Sequence, residues 1–198
     1  KYSDLENDIH SPKQRGFWYS HCGWFLCHRN DETKLDRIPD FAKYPELVWL
    51  NDHEHLCATL FGVIMLAVGG LPWLVWGFAL STVLLWHGTF TINSLSHVYG
   101  TVRYNTGDDS KNSLILSLIT MGEGWHNNHH YYQSSTNQGF FWWEIDMSYY
   151  ILKALSWVGI VWGLRTPPEK ALKGEFTAPL AARKNKNTRP DAPLQPAA

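Results

Sequence analysis

One long segment without charged side chains dominates the pattern of hydrophobic and polar positions. From Leu56 to Val102 the chain has no Asp, Glu, Lys or Arg. Because a membrane-spanning helix needs roughly 20 apolar residues, this segment is long enough for two such helices. The Gly-Gly-Leu-Pro sequence at residues 69–72 is typical of a turn, and Pro72 suits the first turn of a following helix. The pattern predicts a transmembrane helical hairpin, with a buried hairpin of a soluble protein as the alternative.

Polar sequence on both sides of this segment divides the chain into four predicted parts. Residues 1–55 are mixed and polar, and residues 56–97 hold the predicted hairpin. Residues 98–168 combine loop-forming sequence with short apolar stretches, and the pattern over 145–164 predicts an amphipathic or buried helix. Residues 169–198 are rich in Pro, Ala, Lys and Asn and poor in large apolar side chains, which predicts a disordered tail.

Composition narrows the classes of function. The formal net charge of -1 gives no electrostatic footprint for nucleic acid, so no nucleic-acid partner is expected. The cysteines Cys22, Cys27 and Cys57 are irregularly spaced, which favours free thiols in a reducing compartment over a disulfide framework. The sequence begins at Lys1 in a polar run without a signal peptide, and we therefore expect a fragment whose upstream part is missing.

Three histidines in the sequence GEGWHNNHH carry the sharpest chemical signal. His126, His129 and His130 stand at i, i+3 and i+4, so a helix places them on one face. Imidazole is a common ligand for iron, zinc and copper. Three imidazoles on one face can bind one metal ion or divide between two neighbouring ions, and the alternative interpretation is a surface histidine cluster. The flanking glycines and aromatic residues favour metal ligation.

A second candidate pair ends the uncharged segment. Asn93 and His97 are four residues apart in NSLSH and would share a helix face. Alone, such a pair is more often a polar contact in a core, but an ionisable residue at a membrane edge is a functional candidate. Nitrogen ligands without cysteine thiolates point away from iron–sulfur and structural zinc sites. Histidines beside a lipid-facing segment therefore indicate iron and dioxygen acting on an apolar substrate.

The combined motifs resemble those of a known family. GEGWHNNHH resembles the third histidine box of the membrane fatty acid desaturases of the acyl-CoA and acyl-lipid delta-9 type, and NSLSH resembles the NSxxH element of that family. Residues 8–24 resemble the stretch that follows its second box, and the likeness extends from Lys1 to about Pro168. The family's first two boxes, HxxxxH and HxxHH, do not occur upstream of His10. The resemblance therefore implies a C-terminal fragment with only part of the metal site.

The resemblance implies an all-α integral membrane protein, in which a transmembrane helix hairpin joins a cytosolic helical cap that carries a di-iron histidine site. The roles that it implies for individual residues are direct iron ligation by His97, His126, His129 and His130, ligation through water by Asn93, and positions in the substrate channel for Thr89, Trp86 and Arg29. The match at Arg29 is loose, because the sequence before it departs from the basic pair that is usual in the family.

The implied reaction is the oxygen-dependent introduction of a cis double bond, expected at the delta-9 position, into a saturated acyl-CoA or acyl-lipid chain. The implied cofactors are two iron ions and O2, and the electron donor would be ferredoxin or a cytochrome b5-like protein. The expected location is within membrane lipid, in a bacterial inner membrane, with the active site facing the cytoplasm. This fragment alone is expected to be inactive. The alternatives are a related membrane di-iron hydroxylase and a non-catalytic membrane protein with a structural zinc site.

Overall fold

The computed structural model describes residues 3–27, 30 and 33–175, and the regular secondary structure of that part of the chain is helical. Two isolated bridges join Asn112 to Thr101 and to Trp125. The predicted all-α class is confirmed for these residues. Arg29 and residues 176–198 of the predicted tail lie outside the described part.

The described helices have the following bounds. The α-helices are α1 (Pro12–Arg15), α2 (Phe17–His21), α3 (Pro39–Ala42), α4 (Pro45–Asp52), α5 (His55–Pro72), α6 (Ser81–Asn93), α7 (Leu114–Ile119), α8 (His126–Tyr131), α9 (Met147–Trp157) and α10 (Glu169–Leu172). A π-helix, Trp73–Leu80, lies between α5 and α6, and short 3₁₀ helices cover Gly23–Leu26, Leu35–Arg37 and Leu95–His97.

The described chain divides into two compact units. One unit combines residues 3–21 with 90–175, and the other consists of the described residues within 22–89. This division differs from the predicted one, which treats residues 1–55 as a single segment. The physical reason is that the side chain of Asp4 hydrogen-bonds to His97 and to the backbone nitrogen of Asp109, which ties the start of the chain to these later residues.

In the unit of residues 22–89, the long helix α5 ends at a sharp bend. Gly70 has φ 66° and ψ −160°, a conformation that glycine adopts at little cost because it lacks a Cβ. Gly70 lies inside the predicted turn. Across the bend, the ring of Phe61 lies 5.9 Å from that of Phe78 between centroids, and a Cβ on Gly62 would lie 3.2 Å from the Phe78 ring. The small residue therefore lets α5 and the π-helix approach closely.

The helical segment His55–His97 is long and apolar enough to cross a membrane, by length and composition. Only 6% of its most apolar stretch is buried within the described chain. Large side chains such as Trp76, Leu84 and Leu85 are 69%, 63% and 68% exposed. A helix in the core of a soluble protein buries such side chains, whereas a helix in lipid presents them outward. The exposure disfavours the alternative of a buried hairpin.

The other unit has a small aromatic core. The rings of Tyr104 and Tyr131 stack with centroids 4.1 Å apart and planes 9° apart, and Phe140 joins the same buried cluster. Ala171 on α10 is completely buried against these rings. The prediction of a disordered tail from residue 169 is therefore wrong for its first residues, because the small side chain of Ala171 fits beside the tyrosines.

The helix predicted over residues 145–164 is shorter in the structure, where α9 covers only Met147–Trp157. The side chain of Asp146 accepts a hydrogen bond from the backbone nitrogen of Tyr149 at 2.9 Å, which is the geometry of a helix N-cap. After the helix, Gly159 has a φ of 75°, a left-handed conformation that commonly follows a helix end. Local capping therefore sets both ends of α9.

The turn before α8 has no room for a side chain at Gly124, and this predicts an effect on stability. A Cβ there would lie 2.0 Å from the backbone nitrogen of Ser117. Because backbone atoms cannot move aside cheaply, we expect Gly124→Ala to lower the free energy of unfolding by about 1–3 kcal/mol. The measurement is thermal unfolding of the detergent-purified protein.

The matched control is Gly88→Ala on α6, where a Cβ would meet no atom within 4 Å. Alanine favours a helix interior over glycine by about 1 kcal/mol, so this variant should be as stable as the unmodified protein or more stable. Equal unfolding temperatures for Gly124→Ala and Gly88→Ala would contradict the prediction.

Candidate metal centre

Three histidine side chains converge from two separate elements. His97 ends the 3₁₀ helix that follows α6, whereas His126 and His130 lie one turn apart on α8. One ring nitrogen from each lies within 4.8 Å of the other two, and the Nε2 atoms of His97 and His126 are 3.1 Å apart. The structure thus brings together residues from NSLSH and GEGWHNNHH, the two motifs that stand out in the sequence.

His129 lies beside this cluster of three nitrogens, with its ring centroid 5.9 Å from that of His126 and the two planes 14° apart. Burial and the neighbouring His130 lower the pKa of His129 to about 4. Burial, together with the surrounding histidines, also lowers the pKa of His126 well below its usual range. Both imidazoles are therefore neutral at neutral pH, and each has a nitrogen lone pair available to a metal ion.

The start of α8 is capped by a side chain from another segment. Trp125 stands at the N-cap position, but its side chain makes no capping hydrogen bond to the helix. Instead, Asn112 Oδ1 accepts from the backbone nitrogens of Asn127 at 3.0 Å and Asn128 at 3.1 Å. These are two of the backbone donors that a helix start leaves without an internal partner. The amide of Asn112 therefore fixes where α8 begins.

The two asparagines between the histidines are completely buried and serve the opposite side of α8. Asn127 Oδ1 accepts from the backbone nitrogens of Arg103 at 2.9 Å and Tyr104 at 2.7 Å. Asn128 Nδ2 donates to Glu144 Oε2 at 2.9 Å. Buried amides are costly unless they are hydrogen-bonded, and here the bonds also fix how the helix is rotated. The two asparagines of the HNNHH motif thus have a structural role.

Glu144 is a buried carboxylate at the base of this network, with its side chain fully covered. Besides the bond from Asn128, its Oε1 forms an ion pair with Arg103 Nη1. The Arg103 guanidinium also lies 4.8 Å above the ring of Phe141. A buried charge is tolerated when it is paired and hydrogen-bonded, so Arg103 makes the buried acid compatible with this region.

A cavity of about 500 Å³ opens onto the histidines. Asn93 lines it together with His97, His126, His129 and His130, so the structure places all five predicted ligand residues around one space. The cavity is also lined by residues that the sequence patterns did not assign to this site, among them Asp8, His10 and Glu123.

Two carboxylates contact the histidines, and the sequence analysis missed both. Asp4 Oδ2 lies 2.6 Å from His97 Nδ1, and Asp108 Oδ2 lies 2.6 Å from His130 Nδ1. Burial alone would raise the pKa of both carboxyl groups, but the hydrogen bonds and charges of these histidines lower each pKa below its ordinary value. The sequence shows Asp108 next to Asp109 within loop-forming residues, but neither this pair nor Asp4 has the spacing of metal ligands.

The donor set fits a metal ion. Two Nε2 atoms 3.1 Å apart repel through their lone pairs unless a proton or a cation lies between them. Within the described chain, the buried Nδ1 atom of His126 has no hydrogen-bond partner, so the contact with His97 is the one that involves a nitrogen of this ring. Neutral imidazole suits iron, zinc and copper. The cluster of His97, His126 and His130 therefore has the donor type and the spacing that a transition metal needs.

The residues predicted for the substrate channel belong to the unit of residues 22–89. Thr89 Oγ1 donates to the carbonyl of Leu85 in its own helix at 3.0 Å, and the ring of Trp86 lies 6.0 Å from that of Phe25. Both Trp86 and Thr89 are exposed. Their assignment to a channel stays a prediction, as does that of Arg29.

Comparison with known proteins gives a family match over most of the chain. The family model described as "Fatty acid desaturase" matches residues 2–163. The match spans both histidine motifs and the apolar helical segment.

Curated relatives agree with this match. The chain is 36% identical to the Icosanoyl-CoA 5-desaturase of Limnanthes douglasii, over 85% of this chain and 48% of the relative. It is 36% identical to the sn-2 palmitoyl-lipid 9-desaturase of Nostoc sp., over 86% of this chain and 61% of the relative. It is also 36% identical to the Palmitoyl-monogalactosyldiacylglycerol delta-7 desaturase of Arabidopsis thaliana, over 85% of this chain and 46% of the relative. The chain spans about half the length of the curated relatives that it matches.

The amide cap of α8 predicts a loss of stability when it is removed. Asn112→Ala would leave two buried backbone donors, the nitrogens of Asn127 and Asn128, without the side-chain oxygen that now satisfies them. Each such loss costs about 1–3 kcal/mol, so we expect a clear fall in the unfolding temperature. The control is Asn105→Ala, because the exposed Asn105 accepts one longer bond, 3.3 Å, from Gly107. An equal effect of the two variants would contradict the prediction.

Proposed function

Because this chain belongs to the fatty acid desaturase family, we propose that the protein introduces a cis double bond into a saturated fatty acyl chain in a reaction that consumes O2. The observation that carries the proposal is the convergence of His97 from NSLSH with His126 and His130 from GEGWHNNHH, whose nitrogens lie within 4.8 Å. An isolated helical HxxHH motif could be a surface cluster. Convergence with a histidine beyond the end of an apolar helix favours a metal centre beside lipid.

The metal in this proposal is iron, bound as a pair of ions. His97, His126, His129 and His130 would ligate directly, and Asn93 on the wall of the same cavity would bind through a water molecule. Iron held by these side chains would supply the dioxygen activation that attack on an unactivated C–H bond requires. Four histidines and one asparagine are too few for two ions. The resemblance assigns the remaining ligands to histidine boxes of the family that this sequence does not contain.

The chain's own residues would serve mainly to hold groups in place. The amide network behind α8 would hold the rotation of the histidine-bearing helix, and thereby the direction of its ligand nitrogens. Thr89 and Trp86 would shape the acyl channel, and Arg29 would face the headgroup. Correct placement of reacting groups supplies much of the rate in such reactions, so we expect small shifts in these elements to lower turnover.

The proposed substrate is a saturated acyl chain carried on CoA or on a membrane lipid, since relatives of both kinds are equally similar to this chain. We propose the delta-9 position, because the relatives from Nostoc sp. and Anabaena variabilis, of which this chain covers 61% and 62%, are named as 9-desaturases. Other relatives are named for positions 5 and 7, so product analysis is the test of position. The electron donor would be ferredoxin or a cytochrome b5-like protein.

The proposed membrane arrangement follows from the apolar helical segment. Residues 56–97 would form a transmembrane hairpin that bends at Gly70, with its large exposed side chains facing lipid. The membrane would be a bacterial inner membrane. The candidate ligand histidines would lie in a helical cap on its cytoplasmic side. We also propose that this chain alone is inactive, because it carries only part of the ligand set.

The metal centre predicts a loss of bound iron when a converging histidine is removed. We expect full-length protein, purified in detergent with iron, to hold two ions per chain and His126→Ala to lose at least one of them. The control is His53→Ala, since the exposed His53 side chain, directly after α4, interacts with Trp49 of that helix. Iron is measured by elemental analysis against protein concentration. Unchanged iron in His126→Ala would remove this residue from the ligand set.

The activity predicts a specific product. With an electron donor, O2 and stearoyl-CoA or a stearoyl lipid, the full-length protein should release a monounsaturated chain, and His130→Ala should lower turnover at least about 100-fold. Mass spectrometry of a derivative that marks the double bond gives its position. A hydroxylated product would instead favour the hydroxylase alternative. Bound zinc with no oxidised product would favour a structural metal site and contradict the proposal.

A further inference from the structure

Two of the converging histidines each contact a buried carboxylate through the Nδ1 atom of the ring. The distance from His97 Nδ1 to Asp4 Oδ2 and the distance from His130 Nδ1 to Asp108 Oδ2 are both 2.6 Å. The side chains of the two aspartates are only 3% and 0% exposed. Two equivalent buried contacts on two ligands from different elements are not expected from chance packing.

These contacts determine which ring nitrogen carries the proton. An ionised carboxylate is only an acceptor, so each Nδ1 must be the donor. The lone pair of a neutral ring then lies on Nε2. In His97, that Nε2 atom is the one facing His126 at 3.1 Å. Each carboxylate therefore selects the tautomer whose free nitrogen can take part in binding a metal ion.

Both carboxylates are themselves held in place. Asp4 Oδ1 accepts from Ser11 Oγ at 2.6 Å, and its Oδ2 also accepts from the backbone nitrogen of Asp109 at 2.8 Å. Asp108 Oδ1 accepts from Thr106 Oγ1 at 2.6 Å and from the backbone nitrogen of Ser110 at 3.1 Å. Such support removes the freedom of the carboxylate to turn away from its histidine.

The backbone at Asp4 adds an independent observation. Its φ of 54° lies in the left-handed region, which is uncommon for residues other than glycine, although aspartate enters it more readily than most. The backbone nitrogen of Asp4 donates to Asp8 Oδ2 at 2.7 Å, which holds this conformation. Unusual backbone geometry clusters at functional sites, and here it directs a carboxylate at a candidate ligand.

One short loop serves both contacts. Asp108 bonds His130 directly, and the next residue, Asp109, bonds Asp4, which in turn bonds His97. The two histidines therefore share a common support, although they come from different elements.

We propose that Asp4 and Asp108 are positioning residues of the metal centre, which fix the tautomer and ring orientation of His97 and His130 so that both present Nε2 to a bound metal ion. This inference rests on the proposed function, because it takes the two histidines as ligands. It adds two carboxylates that ligate nothing themselves and act through the imidazoles.

The test measures metal affinity rather than turnover. Full-length protein is stripped of metal, and Co2+ binding is followed by its visible absorption in competition with a chelator. Loss of a carboxylate behind a ligating histidine typically lowers metal affinity about 10–100-fold. We expect Asp4→Asn and Asp108→Asn to show weakening of this size. Each should also change the cobalt absorption spectrum, because the imidazole ring of one metal ligand is no longer held in a fixed orientation.

The matched control is Asp146→Asn. Asp146 is also buried, and it accepts from the backbone nitrogens of Gln138 and Tyr149, but no histidine is among these partners. Thermal unfolding of the metal-free variants separates a positioning role from a general loss of structure. The inference predicts that Asp146→Asn lowers the unfolding temperature at least as much as Asp4→Asn and Asp108→Asn do, without changing cobalt affinity or the absorption spectrum.

Two results would overturn the inference while leaving the proposed function intact. One is unchanged cobalt affinity in both Asp4→Asn and Asp108→Asn, with His126→Ala still losing metal. The other is an equal loss of affinity in Asp146→Asn, which would assign the effect to stability. If the unmodified protein and His126→Ala bound cobalt equally, the metal centre itself would be wrong, and the proposed function would fail together with the inference.

Discussion

The candidate metal centre depends on the buried amide network behind α8. A helix of six residues has little stability of its own, and this one begins without a cap from its own N-cap residue. Its first donors are bound by Asn112, and its two interior asparagines are bonded to backbone groups and to Glu144. The network satisfies buried polar groups that would otherwise oppose folding, and it sets the rotation that turns three histidines toward the cavity.

Much of this arrangement could be predicted from the sequence, and the reason is periodicity. The spacing of His126, His129 and His130 predicts a shared helix face, and Asn93 and His97 were expected near them because both motifs resemble elements of one family. The structure lines one cavity with all five residues. The all-α class and the apolar segment could also be predicted from the sequence, since each depends on composition over many positions.

The remaining features depend on contacts between residues far apart in sequence, which no local pattern encodes. Asp4 and His97 are 93 positions apart in the sequence, and nothing in the spacing of either residue marks the pair. Ala171 falls within the predicted disordered tail because residues 169–198 are rich in Pro, Ala, Lys and Asn, yet it completes the packing around Tyr104. No sequence pattern assigned a role to Asn127 and Asn128, but they are among the most completely buried side chains.

Loops at a protein surface usually tolerate insertions and deletions, but the loop of residues 105–111 should not. Consecutive residues of this loop support two different histidines. Asp108 contacts His130 through its side chain, and the backbone nitrogen of Asp109 donates to Asp4, which contacts His97. One added residue between Asp108 and Asp109 would leave at most one of these contacts in register. Selection at this site would therefore act on loop length as well as on residue identity. Natural variation in length should collect in connections that touch neither carboxylate.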